Sequence, residues 1–322
     1  MRKKSLKINL VNRILLFMQI IVTGSGTSFG VPVIGCKCKV CTSTDVRDTR
    51  YRPSIYITER DEAGNENALL VDVGAEFRLQ ALKYGISKID AVLCTHSHAD
   101  HVHGLDDLRI FSHTASASVE SRLGAETKGE GLAIYANGST LSDLRNRFSY
   151  IFTQTQAGGS KPKIALKAVD AYSIENPLKV KSFNIIPIPM LHGSLQTCGY
   201  LIYSSSSKEK KSIAYLTDCS YISDESLEII RSYGGVVEHV IIDGLREKPH
   251  STHCSFYEAL EYANSIKAKN TWITHICHDM KHTEIQDYID NHICDFPNLM
   301  TCLSKGGKVS PAYDGLRLFV ED

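Results

Sequence analysis

Six short apolar runs in this 322-residue chain each end on an aspartate or a histidine beside a turn. They are Leu69–Asp72, Val92–His96, Ile188–His192, Ala214–Asp218, Val240–Asp243 and Trp272–His275. Runs of this length, rich in β-branched and aliphatic side chains, are buried strands. A rigid sheet that ends on side chains able to bind ions or move protons holds them in one geometry, which is what a chemical site needs. Helix-like segments lie between the runs. The clearest is 255–267, where Ser255 and Glu258 have the spacing of a capping box and Phe256, Ala259, Leu260, Ala263 and Ile266 share one apolar face. Strands alternating with helices restrict the fold to the α/β or α+β classes.

The overall balance is 36 basic against 36 acidic residues. Five of the basic residues fall within 1–18, which holds no acid, leaving 31 basic against 36 acidic elsewhere. A mildly acidic body argues against a general polyanion binder, whose affinity rests on excess Lys and Arg. No stretch reaches the roughly 18 apolar residues of a membrane span. Asn9, Asn12 and Arg13 break the N-terminal apolar run and no small-residue cleavage site follows, so the pattern does not read as a secretory signal. Residues 1–17 read as an extension, with the domain expected over 18–322 and a first strand near Gln19–Thr23. Ten cysteines without an export signal point to metal ligands and free thiols in a cytoplasmic protein. Two stretches read as surface loops: 113–130, and Ser204–Lys211 as a hairpin connection.

The chemistry is densest in Thr95-His96-Ser97-His98-Ala99-Asp100-His101. In an extended segment residues two apart share a face, so His96 and His98 can grip one ion while Asp100 and His101, past the turn, face a second. Imidazole with carboxylate suits zinc, manganese or iron. This motif resembles the HxHxDH signature of the metallo-β-lactamase superfamily. The continuation Val102–Arg109 is similar to the PhnP-like branch typified by the phosphonate-pathway cyclic phosphodiesterase. The resemblance runs over residues 18–320 and implies a four-layered αβ/βα sandwich of the α+β class. It implies two divalent ions at one edge of the paired sheets, with His192 completing the shell of the first, Asp218 bridging both, and His275 completing the second beside Asp100 and His101. Asp72 and Asp243, also at strand ends, are expected to orient ligand histidines.

A second candidate site is Cys36-Lys37-Cys38-Lys39-Val40-Cys41, whose three thiols can wrap a tetrahedral zinc but leave one ligand missing. The PhnP-like pattern supplies it from His278, with Cys277 a weaker competitor. The other cysteines read as small core residues. Arg50 and Arg52 are open between contact with a phosphate and ion pairing with Asp106 or Asp107, and stand outside the site.

Two close ions can share a hydroxide and stabilise charge on an attacked phosphoryl or carbonyl group, so hydrolysis is the expected reaction. The segment 248–255 brings His250 and His253 to the start of the capped helix, where its dipole favours an anion. The resemblance implies that His253, in Thr252-His253-Cys254-Ser255, is the general acid. The expected function is a dinuclear phosphodiesterase acting on a small cyclic phosphate, with a small anionic phosphodiester as partner, no membrane, and oligomeric state open to a homodimer. A tRNA 3′-processing nuclease, a lactone or thioester hydrolase and a metal-binding scaffold are the alternatives.

Overall fold

The structure is a computed structural model that describes residues 17–61, 64–112, 131–153 and 161–321. The expected 113–130 loop, and the expected N-terminal extension apart from Phe17, lie outside the described residues. In chain order the strands are β1 (Phe17–Gly24), β2 (Ser54–Arg60), β3 (Glu66–Val71), β4 (Ala91–Leu93), β5 (Leu132–Ala136), β6 (Ile164–Ala168) and β7 (Leu178–Val180). They continue with β8 (Phe183–His192), β9 (Leu195–Ser204), β10 (Ser212–Leu216), β11 (Val237–Asp243), β12 (Asn270–Thr274), β13 (Lys308–Pro311) and β14 (Arg317–Glu321). Two mixed sheets result, in the orders β14-β1-β2-β3-β4-β5-β6 and β13-β12-β11-β10-β9-β8-β7. All six apolar runs form strands, and Ser204–Lys211 joins the antiparallel β9 and β10 as expected.

Period-two alternation makes these sheets into four layers. Ile20, Ile55, Ile57, Leu69 and Val71 of the first sheet meet Tyr200, Ile202, Tyr215, Ile241 and Trp272 of the second in one buried cluster between the sheets. Their immediate neighbours point the other way. Ile21, Tyr56, Leu70 and Val92 pack outward under Phe77 and Leu144, from helices Phe77–Tyr84 and Gly138–Arg147. Leu201, Ala214, Val240 and Ile242 pack under Leu227, Leu260, Ile285 and Leu299, from the four helices that cover the second sheet. Strands apolar on both faces are what the unbroken runs in the sequence encode. This is the expected αβ/βα sandwich.

The capping box is present at Ser255 and Glu258, and all five residues of the expected apolar face on helix Phe256–Ile266 are buried. β3 and β4 are parallel, as are β10, β11 and β12, while β8 shares their direction across the antiparallel β9. The C-terminal ends of the six runs therefore collect on one edge of the sandwich.

Candidate active site

At that edge three non-glycine residues adopt left-handed backbone: Asp72 (φ 61°), Asp218 (φ 54°) and His275 (φ 61°). This conformation is costly for residues with a Cβ and persists where the surroundings over-determine it. Each residue follows the last or near-last position of a strand, and the turn swings its side chain inward. Two glycines let the histidine motif approach. A Cβ on Gly74 would stand 2.2 Å from the Asp100 carbonyl, and one on Gly104 would stand 2.3 Å from that of Gly74. Backbone bonds Val73 N to His101 O (2.7 Å) and Gly104 N to Val73 O (2.8 Å) then fasten the motif to the end of β3.

The structure brings His96, His98 and His192 together as one group and Asp100, His101, Asp218 and His275 as another, with ligand atoms within 4.8 Å of one another in each. Asp218 stands between the groups: its Oδ1 is 3.9 Å from His96 Nε2 and 3.2 Å from His275 Nε2, and its Oδ2 is 3.0 Å from His101 Nε2. Asp100 Oδ2 lies 3.3 Å from His101 Nε2 and 3.6 Å from His275 Nε2. Despite these distances the Nε2 atoms of His96, His101 and His275 are buried without a hydrogen bond. They converge on shared points instead of on each other. Ligands at ~2.1 Å from an ion stand roughly 3–3.5 Å apart, so the donor set fits divalent ions.

Surrounding groups fix which nitrogen of each ring is free. His101 Nδ1 donates to Asp72 Oδ2 (2.7 Å), His192 Nδ1 donates to the Thr252 carbonyl (2.5 Å), and His96 Nδ1 is 3.1 Å from Thr95 Oγ1, which donates to Asp72 Oδ2 (2.9 Å). Each leaves Nε2 toward the cluster. Burial and the neighbouring His101 hold His96 well below the ordinary imidazole range. For His275 burial works in the same direction, but Asp218 and Asp100 outweigh it and raise the ring to about 10. The carboxylates make this pocket a seat for positive charge.

Cys36, Cys38 and Cys41 surround His278, their Sγ atoms 3.5, 3.4 and 3.5 Å from its Nδ1. One ring nitrogen cannot hydrogen-bond three thiols at once. Tetrahedral zinc, with sulfur at ~2.3 Å and nitrogen at ~2.0 Å, spaces these atoms at roughly 3.5 Å. The N–H groups of Val33 and Cys41 point at Cys41 Sγ (3.3 Å) and Cys38 Sγ (3.4 Å). Together with His278, the Cys41 N–H brings Cys38 down to about 6. Cys277 is not in this group.

His253 adjoins both of the His/Asp groups. Its ring stacks on His275 (centroids 4.5 Å apart, 19° between planes) and meets the edge of His192 at 4.4 Å. Its Nδ1 is 2.8 Å from Asp243 Oδ2, which also accepts from Cys219 N (2.9 Å). Of the two strand-end aspartates, Asp72 thus orients a histidine of the motif, as expected, whereas Asp243 orients His253. The start of helix Phe256–Ile266 is occupied by its own chain: Phe256 N donates to the Arg246 carbonyl and Glu258 N to Ser255 Oγ. Two of the helix's first N–H groups are therefore already satisfied. His250 is exposed and pairs with Thr252.

Neither arginine pairs with Asp106 or Asp107. Arg50 is buried against Asp48 and bonds the Cys277 carbonyl, while Arg52 pairs with Glu76. Asp106 is taken by Arg109 and Tyr150. Thr95, which links Asp72 to the motif, also shapes the site, as does the pair Asp143 and Arg147. From one helix these two grip Ser97 through its Oγ (2.6 Å) and its carbonyl (2.6 Å). Their four-residue spacing on a helix was the signal available.

A two-sheet αβ/βα sandwich with a histidine and aspartate cluster at the strand ends is the architecture of the metallo-β-lactamase fold. Residues 67–276 match the family model described as the Beta-lactamase superfamily domain, and the chain belongs to that superfamily. Its likeness to the PhnP branch is borne out by the crystal structure of a diphosphatase from the PhnP family. That structure is 35% identical, with a TM-score of 0.73 over 96% of this chain and 99% of the other. A protein of Porphyromonas gingivalis named octanoyltransferase is 34% identical over 278 residues, or 86% of this chain, and the chain spans 49% of that relative's length. Human tRNase Z, short form, shares the fold at 15% identity and a TM-score of 0.56, over 93% of this chain and 98% of the other.

Proposed function

We propose that this chain hydrolyses a small anionic phosphodiester, a sugar cyclic phosphate being the model substrate, and that His253 protonates the departing oxygen. The observation that carries this reading is the bond between the buried Asp243 and His253 Nδ1, which directs the other nitrogen of the ring toward the cluster where His192 and His275 converge. A histidine held this way by a carboxylate donates a proton from a fixed position. Divalent ions at the His/Asp cluster, with manganese, zinc and iron all suited to the donors, would activate water and stabilise charge on the attacked phosphoryl group. Asp72 and Thr95 keep the rings of His101 and His96 turned inward, and Thr252 does the same for His192. A zinc at Cys36, Cys38, Cys41 and His278 would tie the N-terminal turn to the segment carrying His275, three residues earlier. The likeness to a diphosphatase supports phosphoryl chemistry.

The octanoyltransferase name belongs to a protein about twice as long, so acyl chemistry enters only as an arm of the test. The test compares wild type with His253→Ala at equal metal content. The activity expected to fall is that on an alkoxide-leaving cyclic phosphate, by about 10²–10⁴-fold. Activity on a p-nitrophenyl diester, whose leaving group needs no proton, is expected to fall far less. Equal losses on both, or faster turnover of lactones and thioesters than of any diester, would overturn the reading.

A further inference from the structure

Arg50 and Asp48 form a buried ion pair, with side chains 0% and 2% exposed and Arg50 Nη2 3.2 Å from Asp48 Oδ1. Desolvation makes such a pair a weak source of stability by itself. Its remaining contacts all go to one segment. Arg50 Nη1 donates to the Cys277 carbonyl and Nη2 to that of Met280 (3.1 Å). Asp48 Oδ1 accepts from His282 N (2.7 Å), the first N–H of helix His282–His292. The pair therefore grips the backbone on both sides of His278.

Arg50 is itself fastened to the N-terminal turn. Its backbone N–H and carbonyl both bond Val31 (2.8 Å each), and a Cβ on Gly26 would stand 2.8 Å from Arg50 Cβ. The same turn holds Ile276, through the Ser25 carbonyl (2.9 Å) and Thr27 N (3.2 Å). His275 has less support of its own than its neighbours. His96, His101 and His192 have Nδ1 beside Thr95, Asp72 and the Thr252 carbonyl. His275 Nδ1 is buried without a hydrogen bond, so no such partner sets the rotation of its ring. Its direction comes from left-handed backbone (φ 61°) and the stacked ring of His253. That backbone persists only where its surroundings over-determine it. Arg50 fixes the chain two residues further on.

We infer that Arg50, oriented by Asp48, is a positioning residue shared by the two metal groups: it sets the backbone of 275–282 so that His275 faces the His/Asp cluster and His278 faces the cysteines. The assignment rests on the metal-binding reading above, and its test separates the two. The full chain is stripped of metal and given one equivalent of zinc, which the thiolates take. Equilibrium dialysis against manganese, which suits the carboxylate-bearing donors, then reads the His/Asp cluster without turnover.

The double variant Asp48→Asn with Arg50→Met removes the clamp without leaving a buried charge unpaired, and its asparagine still accepts from His282 N. Manganese affinity is expected to fall about 10–100-fold in this variant, with circular dichroism showing a folded chain. Arg50→Lys, whose single ammonium lacks the fork that spans both carbonyls, is expected to fall between the double variant and wild type. If the double variant does not fold, Arg50→Lys decides by the same comparison. A pair that only stabilised the fold would lower the urea midpoint and leave manganese affinity unchanged, and that result overturns the positioning role alone. Absence of manganese binding by wild type overturns the metal reading and this assignment with it.

Discussion

His101 Nδ1 lies 2.7 Å from Asp72 Oδ2, and neither side chain is exposed. The same carboxylate accepts from Thr95 N (2.8 Å) and Thr95 Oγ1 (2.9 Å). One aspartate at the end of β3 therefore sets both the tautomer of His101 and the path of the chain into the histidine motif. Asp72→Ala leaves a buried imidazole and two buried donors unpaired. The expected result is a loss of about 3–5 kcal/mol in stability by urea unfolding and a 10–100-fold drop in affinity for ions at the cluster. A variant with wild-type stability and metal content would show that this bond organises nothing.

Asp243 acts one step from the proposed chemistry, through His253. Asp243→Asn keeps the size of the side chain but removes the carboxylate charge that accepts from Nδ1 and offsets the imidazolium, the form of the ring that has a proton to give at the cleft. The expected loss in kcat is about 10–100-fold for alkoxide leaving groups, with a smaller loss for p-nitrophenolate. A loss independent of the leaving group would place Asp243 in structural support alone.

How much of this was readable beforehand follows from how local each feature is. The strand ends were legible because parallel strands buried on both faces leave unbroken apolar runs, and the Asp or His that ends each run is conspicuous. The Ser255 and Glu258 capping box is a three-residue pattern and was equally plain. The partners of Arg50, Arg52 and Asp243 were not. Each lies at a turn or on another strand, and choosing among nearby carboxylates and histidines requires knowing which elements touch.

The cysteine cluster couples the N-terminal turn to the strand end bearing His275. His278→Ala removes one of four ligands. It is expected to cost one zinc per chain by elemental analysis and to destabilise by well over the ~1 kcal/mol of an average substitution. Activity is expected to fall as well, because the segment that follows His275 loses its anchor. Unchanged zinc stoichiometry would contradict the assignment.

Asp314 supplies a test in pH. Its carboxylate accepts from Ser25 N and Oγ (both 2.8 Å) and Tyr51 N (2.7 Å), and burial raises it to about 7. A group raised in the folded state contributes stability that is complete below its unfolded value of about 4 and is lost as pH climbs through 7. Asp314→Asn cannot ionise, so its stability relative to wild type should improve between pH 4 and 8 by up to roughly 4 kcal/mol. Urea unfolding of both proteins across that range checks this, and a difference independent of pH would contradict it.

The central claim is metal-dependent phosphodiester hydrolysis at the strand-end cluster. The most direct measurement combines elemental analysis of the purified protein with initial rates on cyclic phosphate, linear diester, lactone, thioester and precursor tRNA substrates. Three ions per chain are expected, one of them zinc, with cyclic phosphate turned over fastest and activity abolished by chelation. Full metal loading with no turnover of any phosphodiester would contradict it.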